Sequence, residues 1–431
     1  MKGNFQIILI IIFLAAAVFG VLVFSGAIPL GDKAKQRGGL GTVVLWGTTP
    51  STTMAPLLES FNDVNPTFIV KYIQKFSETF DRDLLKALAI GTGPDLFFIP
   101  DNLAFSYSDK IFTIPYSSYP IASFKNNFAG AGEVFLTQKG ILAFPIAIDP
   151  LVMYYNRSVL DSNGFVYPPK YWDELVDFVY KLTEKDSSGK IVKSAFALGQ
   201  FSNVLHAKDI LATLFMQTGN PIVAEKEGRF TSVLNDSPGK YNLDSVLQFY
   251  ISFSDALKDV YSWNRSLPNS QDAFSAENLA FYFGFASELE SLVNKNPNQN
   301  FFIAPVPQIK NANNKLTSAK VTGIAVSSFS KNFNTALLVA REMAIGEFAS
   351  QFAKVLGAVP ARRNLLKDTP KDTYSPIFYT SALYARSWLD PSPTDTDEIF
   401  RGMVEKVLSN NMSPVSAVAD ASSQLRLLLV R

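Results

Sequence analysis

Apolar and polar positions alternate in two rhythms once the chain passes residue 41. Residues 42–46 (TVVLW) form a β-branched, apolar run bounded by Gly41 and Gly47, which predicts a buried strand. Residues 51–64 then read as a helix ended by Asn65-Pro66, and residues 68–74 (FIVKYIQ) as a second strand. A helix is expected over 79–90, with Phe80, Leu84 and Leu88 on one face and Gly91 as its stop; residues 95–99 (DLFFI) give a third strand. Strands alternating with amphipathic helices predict βαβ units and a parallel sheet.

A second block follows. Residues 141–148 (ILAFPIAI) and 151–155 (LVMYY) read as two strands joined through Asp149-Pro150. Helices are expected at 157–162, 171–182, 204–218 and 243–257, the second with Trp172, Leu175, Val176 and Val179 on its apolar face. Strands are expected at 279–285 (LAFYFGF), 301–306 (FFIAPV) and 323–326, and helices at 334–344 and 347–356. Residues 357–363 (GAVPARR) are an extended break, and 396–429 is again mostly helical. No tandem repeat is present.

Ahead of these elements lies a different pattern. Residues 7–24 (IILIIIFLAAAVFGVLVF) are wholly apolar, and no charge occurs between Lys2 and Asp32. At about 1.5 Å per residue the run reaches about 27 Å, close to the hydrocarbon thickness of a bilayer. A secretory signal usually has a shorter apolar region of about 7–15 residues, so residues 1–30 are expected to be a transmembrane anchor. A cleaved signal, with Val23-Phe24-Ser25 before Gly26, is the alternative. Residues 31–41 (GDKAKQRGGLG) read as a flexible tether. Lys2 and the terminal amine on one side oppose Lys33, Lys35 and Arg37 on the other, so charge does not set the orientation. The soluble character of the rest places it on the outer face of the cytoplasmic membrane, periplasmic or extracellular.

Composition narrows the function classes. With 431 residues and a prior of roughly 150 per domain, two or three folding units are expected. Lys+Arg 39 against Asp+Glu 38 leaves a net charge of +1, which supplies no basic field for a nucleic-acid partner. There is no cysteine and one histidine, His206. Disulfides, Cys-based zinc sites, iron–sulfur clusters, thiol nucleophiles and lipid attachment through cysteine are therefore excluded. A Ser/His/Asp set would have to run through His206 alone, and a lone histidine is more often a hydrogen-bonded structural residue. Ser328-Phe329-Ser330-Lys331 has S-x-x-K spacing, but the S-D-N and K-T-G partners are absent, so it reads as a turn before the helix at 334. No G-x-S-x-G, H-E-x-x-H or P-loop string occurs. No catalytic residue, metal or cofactor is expected.

Four ordered segments carry a resemblance. They are FPIAIDPLVMYYNRSVLDSNG at 144–164 with PPKYWDEL at 168–175, AIGTGPDL at 89–96, GIAVS at 323–327 with SKN at 330–332, and GAVPAR at 357–362. Together they resemble the extracellular solute-binding proteins of ABC importers, in the sugar-binding family 1 group of the maltose-binding protein. Three departures stand out. The family's lipid-attachment cysteine is missing, which throws membrane retention onto residues 7–24; Phe285 stands where a Trp often ends the equivalent strand; and residues 106–134 match weakly.

The resemblance implies an α/β fold of two lobes, the type II periplasmic-binding-protein or Venus-flytrap architecture, with a hinge crossed by several segments. Residues 42–148 and 305–360 would form lobe 1, and residues 149–304 and 361–431 lobe 2. It further implies a monomeric, membrane-tethered substrate-binding protein that closes on a carbohydrate and delivers it to permease subunits. A binder of polyamine or another small solute on the same fold, or a sensor or adhesion module, is the alternative.

In open α/β sheets ligands bind beyond the carboxyl ends of strands. The candidates there are Trp46, Thr48 and Thr49; Asp101 and Asn102; Asp149; Gln200 and Asn203; Phe285 and Ser287; and Trp388 in the C-terminal SWLDP, with Phe400 a weaker one. They mix ring faces with carboxylates, amides and hydroxyls, the set that a sugar's C–H face and vicinal hydroxyls require. Each has a structural rival. Trp46 could be strand-end packing; Asp101, Asn102, Gln200 and Asn203 could be caps; Trp172, on an apolar helix face, reads as core. An anion site would want convergent Lys or Arg, and these post-strand loops carry none.

Overall fold

The computed structural model describes residues 39–236, 242–312 and 314–430; the apolar segment 7–24 and most of the tether lie outside them. No helix among the described residues is long and apolar enough to cross a membrane.

The first βαβ units form as the periodicity predicts. Strand β1 (Thr42–Gly47) is followed by α1 (Ser51–Val64), β2 (Ile69–Gln74), α2 (Phe80–Ala89) and β3 (Leu96–Pro100), and β1 pairs in parallel with both β2 and β3. Next comes β4 (Phe144–Asn156), whose 13 residues are buried on both faces except at Asp149. A strand covered on both sides reads as a continuous apolar run. The expected break at Asp149-Pro150 does not occur. Proline lacks a ladder donor, but at this point β4 changes partners, so the missing N–H falls at a seam.

The chain then forms α3 (Leu175–Leu182), β5 (Ile191–Phe196), α4 (Ala207–Gln217), a hairpin of β6 (Val223–Lys226) and β7 (Arg229–Ser232), α5 (Leu243–Ser252), β8 (Leu279–Phe285) and β9 (Phe301–Ala304). On α3 the buried face is Leu175, Phe178, Val179 and Leu182, with Trp172 just before it. Val176, expected on that face, is 41% exposed, because one residue from Leu175 turns it about 100° away. Strand β5 and the hairpin β6–β7 were not expected. Helix α4 begins at Ala207 rather than 204, since His206 takes a left-handed conformation.

Strand β10 (Thr317–Val326) is more than twice the expected length. Helices α6 (Phe333–Ile345), α7 (Glu347–Val355), α8 (Ser375–Tyr384), α9 (Pro393–Leu408) and α10 (Pro414–Leu428) complete the chain. Among the described residues the main sheet has eleven strands, with the path β2-β1-β3-β10-β4-β8-β5 at its centre.

Two lobes share that sheet. The first half of β4, through Pro150, pairs with β10, while Leu151–Asn156 pairs with β8 and β9. Strand β10 crosses the other way: its start pairs with Ala385 and Arg386, and its end with β3. Val359 and Pro360 pair against Ile148 and Ala147, on the lobe 1 part of β4. Hydrogen bonds fix the crossing, from Thr317 Oγ1 to the Leu151 carbonyl (2.8 Å) and from Thr213 Oγ1 to Ser318 Oγ (2.8 Å).

Candidate functional site

At the crossing, Lys320 of β10 stands directly opposite Asp149 of β4. Side chains alternate along a strand, so Ser318 and Lys320 share one face. On that face lies a cavity of about 160 Å³. Asp101 and Asn102 reach it from the end of β3, Lys208 and Asp209 from the first turn of α4, Ser318 and Lys320 from β10, and the segment from Arg386 to Asp390 from the approach to α9.

Its electrostatics follow from burial and pairing. Asp101 is 5% exposed and accepts a hydrogen bond from Ser387 Oγ. Burial pushes its pKa up to about 7, against Ser387 and the backbone N–H groups of Val321 and Asn102, which favour the carboxylate. Asp149 is half-buried, and Ser287 donates to both its oxygens, from the backbone N–H (3.0 Å) and from Oγ (2.6 Å). Burial pushes it up to about 6, with Ser287 and Lys320 opposing. The Lys320 ammonium also lies 3.9 Å from the Phe285 ring centroid, within cation–π range. Lys208 Nζ donates to Asp390 Oδ2, the Pro393 carbonyl and Thr396 Oγ1, each at 3.1 Å. Burial raises the Asp390 pKa even so, with Lys208 pulling it back. Trp388 is half-buried and stacks on Phe400, with centroids 6.1 Å apart.

Of the residues singled out from the sequence, Asp101, Asn102 and Trp388 line the cavity, and Asp149, Phe285 and Ser287 adjoin it through Lys320. The others sit elsewhere. Trp46 is buried at the end of β1 with Lys75 Nζ 3.9 Å from its ring centroid, and its Nε1 has no partner among the described residues. Thr48 is exposed, and the Thr49 carbonyl accepts from Tyr72 OH at 2.7 Å. Gln200 is buried, its carbonyl taken by Tyr250 OH; Asn203 Nδ2 clamps the carbonyls of Asn264 and Leu267. Phe400 is fully buried beneath Trp388.

The sequence reading missed Lys208, Asp209, Lys320, Arg386, Ser387 and Asp390. A signal existed in TSAKVT at 317–322, where small and polar positions alternate as they do on a strand with one wet face. The post-strand loops of the candidate residues carry no Lys or Arg, but cations reach the cavity from other elements. Three cations line the cavity, because they arrive from a hinge strand, a helix start and a C-terminal segment rather than from loops after strands. No cluster of three or more His, Asp or Glu able to hold a metal occurs among the described residues.

The profile of the bacterial extracellular solute-binding protein family matches residues 46–358. The chain belongs to this family. Its members bind solutes without transforming them, and this solute-binding protein is not an enzyme. The fold is that of solved structures across the family. The solute-binding protein is similar to a cyclo/maltodextrin-binding protein complexed with maltotetraose, at 16% identity and a TM-score of 0.70, covering 93% of this chain and 98% of that one. It is similar also to the sugar-binding protein MalE of Xanthomonas citri (16% identity, TM-score 0.69, 90% and 97% covered). A third is the GacH receptor of Streptomyces glaucescens (20% identity, TM-score 0.62, 90% and 98% covered). No curated protein sequence matches the chain.

Proposed function

We propose that this solute-binding protein captures a carbohydrate at the lobe crossing and delivers it to the permease subunits of an ABC importer, held at the outer face of the membrane by residues 7–24. Lobe 1 takes residues 42–148 and 305–360 and lobe 2 residues 149–304 and 361–431 in outline, with the second changeover running along β10. The observation that carries this reading is the cavity at the hinge strands, which takes Asp101 and Asn102 from one side and Lys208 and Asp209 from the other. A solute there touches both lobes only when they are shut, so its differential affinity shifts the population toward the closed form.

The chemistry suits a polyhydroxylated ring. Trp388 offers an aromatic face, Asp101 and Asp149 offer planar acceptors, and Lys320 and Arg386 offer donors. Asn102 Oδ1 is buried without a partner among the described residues, an open acceptor beside the cavity. About 160 Å³ lies below the roughly 300–1,000 Å³ of sites for drug-sized ligands, which favours a single sugar unit or a site that widens as the lobes part. Sugars occupy several structures of the same fold, among them maltotetraose and α-D-tagatose. Asp101, Asp209 and Asp390 are matched in number by Lys208, Lys320 and Arg386, so the lining carries no excess negative charge to hold a polyamine.

A thermal-shift screen tests the reading, with glucose, maltotriose, mannotriose, spermidine and glucose 6-phosphate as probes. A ligand at about 100 times its Kd stabilises by about 2.7 kcal/mol. A rise with a sugar, with compaction by small-angle scattering, is expected. A rise with spermidine alone would reverse the assignment.

A further inference from the structure

His206, the sole histidine, stands immediately before α4 with φ 63, a region that non-glycine residues seldom occupy. Its Nε2 lies 2.6 Å from Glu288 Oε1. Glu288 is a junction. Besides His206 it accepts from the Phe285 N–H (2.8 Å), from Gln271 Nε2 (2.9 Å) and from Tyr282 OH (2.5 Å). Four donors fill the roughly four lone-pair sites of a carboxylate. Burial alone would raise the Glu288 pKa, but His206 and the other donors outweigh it and hold the group below the usual carboxylate range. The second ring nitrogen, Nδ1, is 3.9 Å from Asp209 Oδ2, and the imidazole meets the Phe285 ring edge-on with centroids 4.8 Å apart.

Neither His206 nor Glu288 lines the cavity, yet they join two turns that border it. Residues 206–209 present Lys208 and Asp209. Residues 285–288 present the Phe285 ring beside the Lys320 ammonium and the Ser287 groups that grip Asp149. The pair therefore ties the start of α4 to the end of β8 and, through Asp149, to the hinge.

We propose that His206 is a positioning residue for ligand capture: its bond to Glu288 locks these two turns into one wall of the cleft. This rests on the reading of the cavity as the carbohydrate site. The charged and titratable groups that face the imidazole are Glu288 and Asp209, with Tyr282 behind Glu288 and Lys320 on the same Phe285 ring.

The test is titration calorimetry with glucose and with maltotriose on the full chain and on H206A, H206Q and E288Q. H206A strands the buried Glu288 acceptor, and E288Q sets an amide N–H against the donors that the carboxylate had accepted, so both should weaken binding about tenfold or more. In H206Q an uncharged amide N–H replaces the imidazole donor and should restore affinity to within about threefold of wild type. The ring resonances of the single histidine should move on adding the sugar that binds, although the sugar does not touch it. Equal losses in H206A and H206Q, or wild-type affinity in H206A, would overturn the proposal. A wild-type protein that binds no sugar overturns the carbohydrate reading instead, and hydrogen exchange then decides the clamp. Faster exchange at both 207–210 and 285–288 in H206A, absent in H206Q, supports it; unchanged exchange sinks it.

Discussion

Asp101 and Asp149 are acids whose surroundings oppose their charge, and this has a consequence in solution. Both are pushed up by burial, to about 7 and about 6, from an unfolded value near 4. Between those values the native protein binds more protons than the unfolded chain, so stability is full at the acid end and falls as pH rises toward about 7. A thermal melt followed from about pH 5 to pH 8 should show Tm dropping through that window, and D101N should flatten the drop; a profile identical to wild type would refute the assignment. Two tryptophans should behave in opposite ways. Trp172 is buried against Phe249 and Phe283, with its Nε1 donating to Gln217 Oε1 at 2.7 Å, so W172A should cost about 3–5 kcal/mol in urea unfolding. Trp388, half-buried at the cavity, should on replacement by Ala lose about 1–2 kcal/mol or less of stability and about tenfold or more in ligand affinity. The core role of Trp172 was legible because helical spacing placed it with Leu175 and Val179. Trp46 was not settled by sequence, because an aromatic at a strand end packs or binds according to what the neighbouring loop does, and here Lys75 covers it.

Among the elements, those with a strong period formed where expected, and those with a mixed period did not. Strands β1 and β3 and helix α2 are apolar on a whole strand or along one clear stripe. Strand β10 was read as residues 323–326 alone, since its first half is wet on one face and carries Lys320 into the cleft. Hairpin β6–β7 was missed because its turn uses Glu227 and Gly228, both at positive φ, rather than the Asn-Gly pair that signals such turns. It packs against lobe 1, with Phe230 5.8 Å from Phe105 and the Gln138 N–H donating to Glu225, contacts no local pattern encodes. The β10 irregularity at Thr322 and Gly323 has a test of its own. A Cβ at Gly323 would meet Phe135 at 2.8 Å and Ala143 at 2.9 Å, both core side chains. G323A should therefore lose about 1–3 kcal/mol by denaturant melt with m unchanged; a neutral substitution would mean the strand can shift to accept it.

For the whole molecule, two long strands, β4 and β10, carry the chain between lobes, so this part of the hinge is a sheet rather than a flexible linker. Motion about it has to work through the partner change at Pro150 and the side-chain bonds of Thr317 and Ser318. The proposed anchor, residues 7–24, precedes the first strand by a Gly-rich stretch, GDKAKQRGGLG at 31–41, and is proposed to act as a separate unit. A chain lacking residues 1–38 should unfold at the same temperature as the full chain and move from the membrane pellet to the supernatant; retention in the pellet would remove the anchoring role from residues 7–24.

Periodicity and local turn signals determined the α/β class and most of the parallel-sheet half, and the resemblance of four ordered segments pointed to the family. They report which face of an element is apolar and where it stops, both of which are local properties. Only the tertiary structure decided which polar groups meet. Asp101, Lys208, Lys320 and Trp388 lie on four elements far apart in the chain, and their convergence depends on β4 and β10 running unbroken through both lobes. The same holds for His206, an isolated residue in the sequence whose partner Glu288 lies 82 positions away and reaches it only once β8 is in the sheet.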